Sequence, residues 1–147
     1  MTLFLMVLAL AAGSLLTLQV GANAQLGRFT GHPAYATILS FVTGLVALLA
    51  CSLAVPVPWP SVGRLSQAPW WAWIGGILGA CYLWVALMLA PRLGAAVLVS
   101  LVVAGQLLAS LLLDHYGLLG FPQHPASLLR TLGVVFLFVG VVLIRWF

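Results

Sequence analysis

Leu93 to Pro122 read LGAAVLVSLVVAGQLLASLLLDHYGLLGFP. The first part, Leu93–Leu113, is one apolar run, and a helix of about 20 such residues crosses the hydrocarbon core of a bilayer. The run stops at Asp114, the single acidic residue of the 147-residue chain. His115 follows, and Gly117, Gly120 and Pro122 then supply the turn. A carboxylate placed where hydrocarbon ends, ahead of a turn and another apolar run, makes this stretch one limb of a transmembrane hairpin.

The pattern recurs along the chain. Apolar runs at Leu3–Gly21, Ala34–Val55, Trp70–Ala90 and Ser127–Trp146 are each bounded by Gly, Pro or Arg. A chain that is 65% hydrophobic and 4% charged, with mean hydropathy +1.26, cannot solvate a globular surface. The sequence therefore predicts an all-α polytopic membrane protein with five transmembrane helices, in contact with the lipid bilayer. Residues 1–147 are expected to form a single transmembrane domain, because the one sizeable loop, the Pro-rich Val55–Pro69, leaves no room for a soluble one. Trp70, Trp71 and Trp73 mark one membrane interface, and Trp146 with Phe147 another. GANAQ at Gly21–Gln25 resembles a signal-peptidase site. The N-terminus lacks a basic n-region, however, and its apolar stretch outruns a signal-peptide core, so a retained helix is expected.

The +4 balance comes from Arg28, Arg64, Arg92, Arg130 and Arg145, spread singly near the ends of apolar runs. That spacing is unlike a nucleic-acid-binding patch. Arg130 lies one turn inside its run, where a long side chain can snorkel to the headgroups. With five spans, Arg64 and Arg130 fall on the N-terminal side and Arg28, Arg92 and Arg145 on the other. Two against three is almost no bias. One weakly fixed orientation and insertion in both orientations are equally compatible with it. Cys51 and Cys81 lie inside apolar runs without CxxC spacing, so neither a disulfide nor a metal site is expected.

Polar side chains are costly in hydrocarbon and therefore informative. Gln19 and Asn23 share a face of the first span, while Gly13, Thr17 and Gly21 form a small-residue stripe. The third span places Gly75, Gly79, Tyr82 and Ala86 at helical spacing. Trp84, about 200° round from Tyr82, points elsewhere, which makes Tyr82 the candidate for an internal cavity. In the fourth span Gln106, Ser110 and Asp114 form a polar line at i, i+4 and i+8, and Ala96, Ser100 and Ala104 form another small-residue stripe. The stripes are expected to pack helices. The amides are either interhelical glue or cavity lining. Asp114, at the negative pole of its helix, calls for a cation, and Arg130 at the start of the fifth span is the candidate, with His115 adjacent. The group is either a structural clip across the last hairpin or a protonation gate. His32 and His124, both beside prolines, are expected in turns.

The stretches LQVGANAQLG, GGILGACY, GQLLASLLLDHYGLLGFP and RTLGVVFLFVGVVL together resemble the YdcZ-type five-helix proteins of the drug/metabolite transporter superfamily. The resemblance covers nearly the whole chain. It implies a bacterial inner-membrane, multi-pass location and half of an inverted-repeat transporter, since larger members of the superfamily carry two five-helix repeats in inverted orientation. The four-helix small multidrug resistance proteins of the same superfamily exchange protons for cationic drugs at a glutamate in the first helix. Here that helix has Ser14 and no acid, which argues against a proton-coupled cation pump.

The expected function is thus a secondary transporter half, an exporter of a small metabolite or amphipathic compound. It would work by alternating access as a homodimer, antiparallel if topology is dual, or as a heterodimer with a homologous five-helix subunit. The residues expected to line its site are Gln19, Asn23, Tyr82, Gln106 and Ser110, with Asp114, His115 and Arg130 as gate or clip. A non-transporting accessory subunit docking by its glycine faces is the alternative. One carboxylate, no lysine and loop histidines provide no acid/base pair or metal triad, so neither enzyme activity nor a cofactor is expected.

Overall fold

The computed structural model describes residues 2–55 and 58–147. Met1, at the start of the expected domain, and Pro56 and Val57, in the Pro-rich loop, lie outside the described residues. Among the described residues, five helical segments are long and apolar enough to cross a membrane. The helices are α1 (Thr2–Thr30), α2 (Pro33–Ala54), the short α3 (Val62–Leu65), α4 (Gly75–Leu93), α5 (Ala95–Tyr116) and α6 (Leu128–Trp146). Trp70–Ile74 forms a 3₁₀ turn leading into α4. The chain divides into two compact units, Met1–Pro91 and Arg92–Phe147.

In the first unit α1 is longer than its apolar run. It continues past Gly21 through Ala22–Thr30 and spans 29 residues, about 43 Å at 1.5 Å per residue. A glycine inside a helix costs only about 1 kcal/mol, so Gly21 cannot stop it. The stop is Gly31, whose φ of 75° lies in the left-handed region open to glycine. Arg28 in the last turn suits the negative end of the helix dipole. His32 then caps α2: its Nδ1 accepts from the Ala34 N–H at 3.1 Å, and Pro33 occupies the first helical position, where no N–H is needed. The resulting hairpin packs around fully buried Ala36. Leu83 and Leu87 of α4 close over it, with Ala24 and Leu26 of α1 against the cluster. A methyl group placed on Gly27 would sit 3.9 Å from Ala36 Cβ, an ordinary contact distance, so α1 and α2 come close where both carry small residues.

In the second unit α5 and α6 form a hairpin with Leu98, Ala104, Val134 and Val141 buried. Gly117 ends α5 in the left-handed conformation (φ 62°, ψ 36°), its N–H donating to the Leu113 carbonyl; this is the usual glycine C-cap. A methyl group there would meet Gln123 Cβ at 3.3 Å, so the turn is closed tightly over this glycine. Ser127 caps α6, its Oγ accepting from the Arg130 N–H at 3.3 Å.

Candidate functional site

The end of the second unit's hairpin is a network centred on Arg130. Its Nη2 donates to Asp114 Oδ2 at 3.0 Å, and its Nη1 donates to the His124 carbonyl, also at 3.0 Å. The His124 N–H returns to the Asp114 carbonyl at 2.7 Å. His115 takes part from the next position: Nδ1 accepts from the Ala126 N–H at 3.0 Å, and its carbonyl accepts from Gln123 Nε2 at 3.1 Å. The ring of His115 packs edge-on against Tyr116. The turn between α5 and α6 is therefore tied to the last turn of α5 by both main chain and side chains. Three α5 carbonyls that a helix end leaves free, those of Leu113, Asp114 and His115, each find a donor here.

Beside this network runs a groove of about 290 Å³. Leu107, Ser110, Leu111 and Asp114 of α5 form one wall, and Arg130, Gly133 and Val134 of α6 the other. Its body is apolar and its end carries both charges. Asp114 and Arg130 are partly solvated, at 27% and 40% side-chain exposure. Ser110 Oγ donates to the Leu107 carbonyl at 3.0 Å. Gln106, one turn further along α5, is exposed and is not part of the lining.

In the first unit a groove of about 350 Å³ lies between α1 and α2, lined by Gln19 and by Ser40, Phe41, Gly44, Leu45 and Leu48. Asn23 is buried, and its Nδ2 donates to Ser40 Oγ across the helices at 2.9 Å. A second groove, between α2 and α4, is almost wholly apolar and takes Cys81 and Trp84. Tyr82 is on neither wall and is 37% exposed.

Among the small residues, Ala104 is buried and Gly79 approaches Phe41 of α2, while Ser100 is partly buried and bonds to the Val97 carbonyl. Gly13, Gly21 and Gly75 have open space where a side chain would stand, and Thr17 bonds back to the Gly13 carbonyl. Among the described residues, no three His, Cys, Asp or Glu side chains gather as metal ligands would.

Of the participants not singled out from the sequence, three show what a sequence can and cannot signal. Ser40 carries a readable signal, a hydroxyl in the middle of an apolar run. The His124 main-chain carbonyl carries none, because any residue could supply it. Gly133 becomes meaningful only once the groove beside it is seen.

A family model described as "Putative inner membrane exporter, YdcZ" matches residues 4–143. No curated protein and no solved structure matches the chain.

Proposed function

The chain belongs to the family described as "Putative inner membrane exporter, YdcZ", and on that premise we propose that it is one half of a secondary transporter, completed by a second copy in inverted orientation. Alternating access of the pair would move a small metabolite or amphipathic compound across the inner membrane. The observation that supports this reading is the pair of amides left open at membrane depth. Gln106 lies roughly 16 Å from either end of α5, is exposed, and among the described residues has no hydrogen-bond partner. Gln19 is likewise exposed, on the groove of the first unit. An amide facing hydrocarbon without a partner costs several kcal/mol, so each of these needs water, solute or another protein surface against it.

Asn23 stands differently, since its Nδ2 already donates a hydrogen bond to Ser40 Oγ. In this reading Gln19 on the groove of the first unit and Ser110 on the α5–α6 groove are each open to solute within their own unit, Asn23 positions α1 against α2, and the ion pair holds the α5–α6 turn. The near-even arginines permit insertion both ways, and five helices supply one repeat of a two-repeat architecture.

The test is uptake of a panel of labelled small metabolites into proteoliposomes holding the purified protein. Saturable uptake of at least one compound, abolished by Gln106→Leu with the protein still folded, is the expected result. A protein that carries none of the panel, or an unaffected Gln106→Leu variant, would overturn the reading.

A further inference from the structure

We propose that the α5–α6 groove is a binding site for a small amphipathic zwitterion, a molecule bearing an ammonium group, an acidic group and a short apolar tail. This rests on the transporter reading and adds the ligand's chemistry to it.

The argument starts from unused hydrogen-bonding capacity. A guanidinium has five N–H donors; Arg130 uses one on Asp114 and one on the His124 carbonyl. A carboxylate has about four acceptor sites; Asp114 receives Arg130 on Oδ2, and among the described residues Oδ1 receives nothing. Ser110, one turn before Asp114, has committed its proton to the Leu107 carbonyl, so what remains on its oxygen is acceptor only. One wall of the groove's polar end therefore accepts, through Ser110 and Asp114, and the facing wall donates, through Arg130. An ammonium group fits the first and a carboxylate fits the second.

Charge balance sharpens the choice. Asp114 and Arg130 already neutralise each other, so a ligand with a single charge would bring an uncompensated charge to a site only partly open to water. A zwitterion adds none, and each of its ends meets an opposite charge. The rest of the groove asks for an apolar tail, since Leu107, Leu111 and Val134 line it. Its volume of about 290 Å³ is at the bottom of the range for ligand pockets, about 300–1,000 Å³. The ligand is accordingly small.

Gly133 provides the means of testing this. A methyl group built on it meets nothing within 4 Å, so Gly133→Leu starts from open space at Cβ on a residue that lines the groove, with a better helix former. The probe is L-leucine, titrated calorimetrically into the full-length protein in nanodiscs. Isoamylamine and 4-methylpentanoate serve as the analogues with one charge each.

The expected result is saturable leucine binding, at least tenfold weaker binding of either analogue, and at least a tenfold loss in Gly133→Leu with its melting temperature unchanged or raised. Ser110→Ala should weaken leucine several-fold. Absence of leucine binding, an analogue binding as tightly as leucine, or full affinity in Gly133→Leu would each overturn the proposal. Proteoliposome uptake separates it from the transporter reading: uptake of some other compound, untouched by Gly133→Leu, sinks the site and keeps the transporter. Leucine binding without uptake of any compound does the reverse.

Discussion

Replacing Arg130 by Gln should destabilise the protein by about 2 kcal/mol, whereas Asp114→Asn should change stability by no more than about 0.5 kcal/mol. The asymmetry comes from the geometry. Arg130→Gln loses the ion pair, which at 40% and 27% exposure is screened and contributes about 0.2–1 kcal/mol. It also loses the charged bond to the His124 carbonyl, at the lower end of about 1.5–3 kcal/mol because Arg130 is partly solvated. Asp114→Asn loses the same ion pair but removes a negative charge from the last turn of α5, a relief of about 0.3–1 kcal/mol. The two effects nearly cancel. The double variant should be less destabilised than the sum of the singles by about 0.5 kcal/mol, the coupling of the pair itself. The assay is reversible unfolding in mixed micelles by added SDS, followed by tryptophan fluorescence, over the full double-mutant cycle. If Asp114→Asn cost as much as Arg130→Gln, or the coupling reached the 3–5 kcal/mol of a broken buried pair, the reasoning from a partly solvated network would be refuted.

Three further outcomes follow from the same structure. Asn23→Ala and Ser40→Ala should each cost about 0.6 kcal/mol or somewhat more, the average for interhelical hydrogen bonds in a membrane protein, and the double variant should cost no more than one of them. The same unfolding assay decides this. Gly117→Ala should cost about 1–2 kcal/mol, since it places a side chain in the left-handed region with Gln123 Cβ 3.3 Å away; unfolding of this variant beside Gly120→Ala, which has open space, isolates the contact. His115→Ala removes the acceptor of the Ala126 N–H and should cost about 1 kcal/mol, read as a faster hydrogen exchange of the Ala126 amide.

The spanning helices were legible because hydropathy is a property of composition, and the α5–α6 hairpin shows how far that extends. Leu93–Leu113 could be read as a membrane limb from its residues alone, and Asp114, Gly117 and Arg130 marked its turn. The His124 carbonyl that takes the second guanidinium bond was not legible, since a main-chain group leaves no trace in residue type. At the other end of the chain, Gly21 read as a boundary, yet α1 runs on to Thr30 because a lone glycine is only a weak helix breaker while Gly31 with Pro33 is a strong one. Asn23 could be read as polar at depth. That its partner is Ser40 could not, since the register of α1 against α2 comes from how the two helices pack, with Gly27 near Ala36, and not from any pattern within either helix.

The central claim is that two copies in opposite orientations make one exporter. Its most direct test is the sidedness of the C-terminus: Phe147→Cys in a background with Cys51 and Cys81, the two free cysteines, replaced by Ser and Ala. The protein is expressed in a strain lacking any homologous five-helix protein and labelled with a membrane-impermeant maleimide from either face. The account expects comparable labelling from both faces, because near-balanced arginines let both orientations form. Labelling from one face only would contradict it.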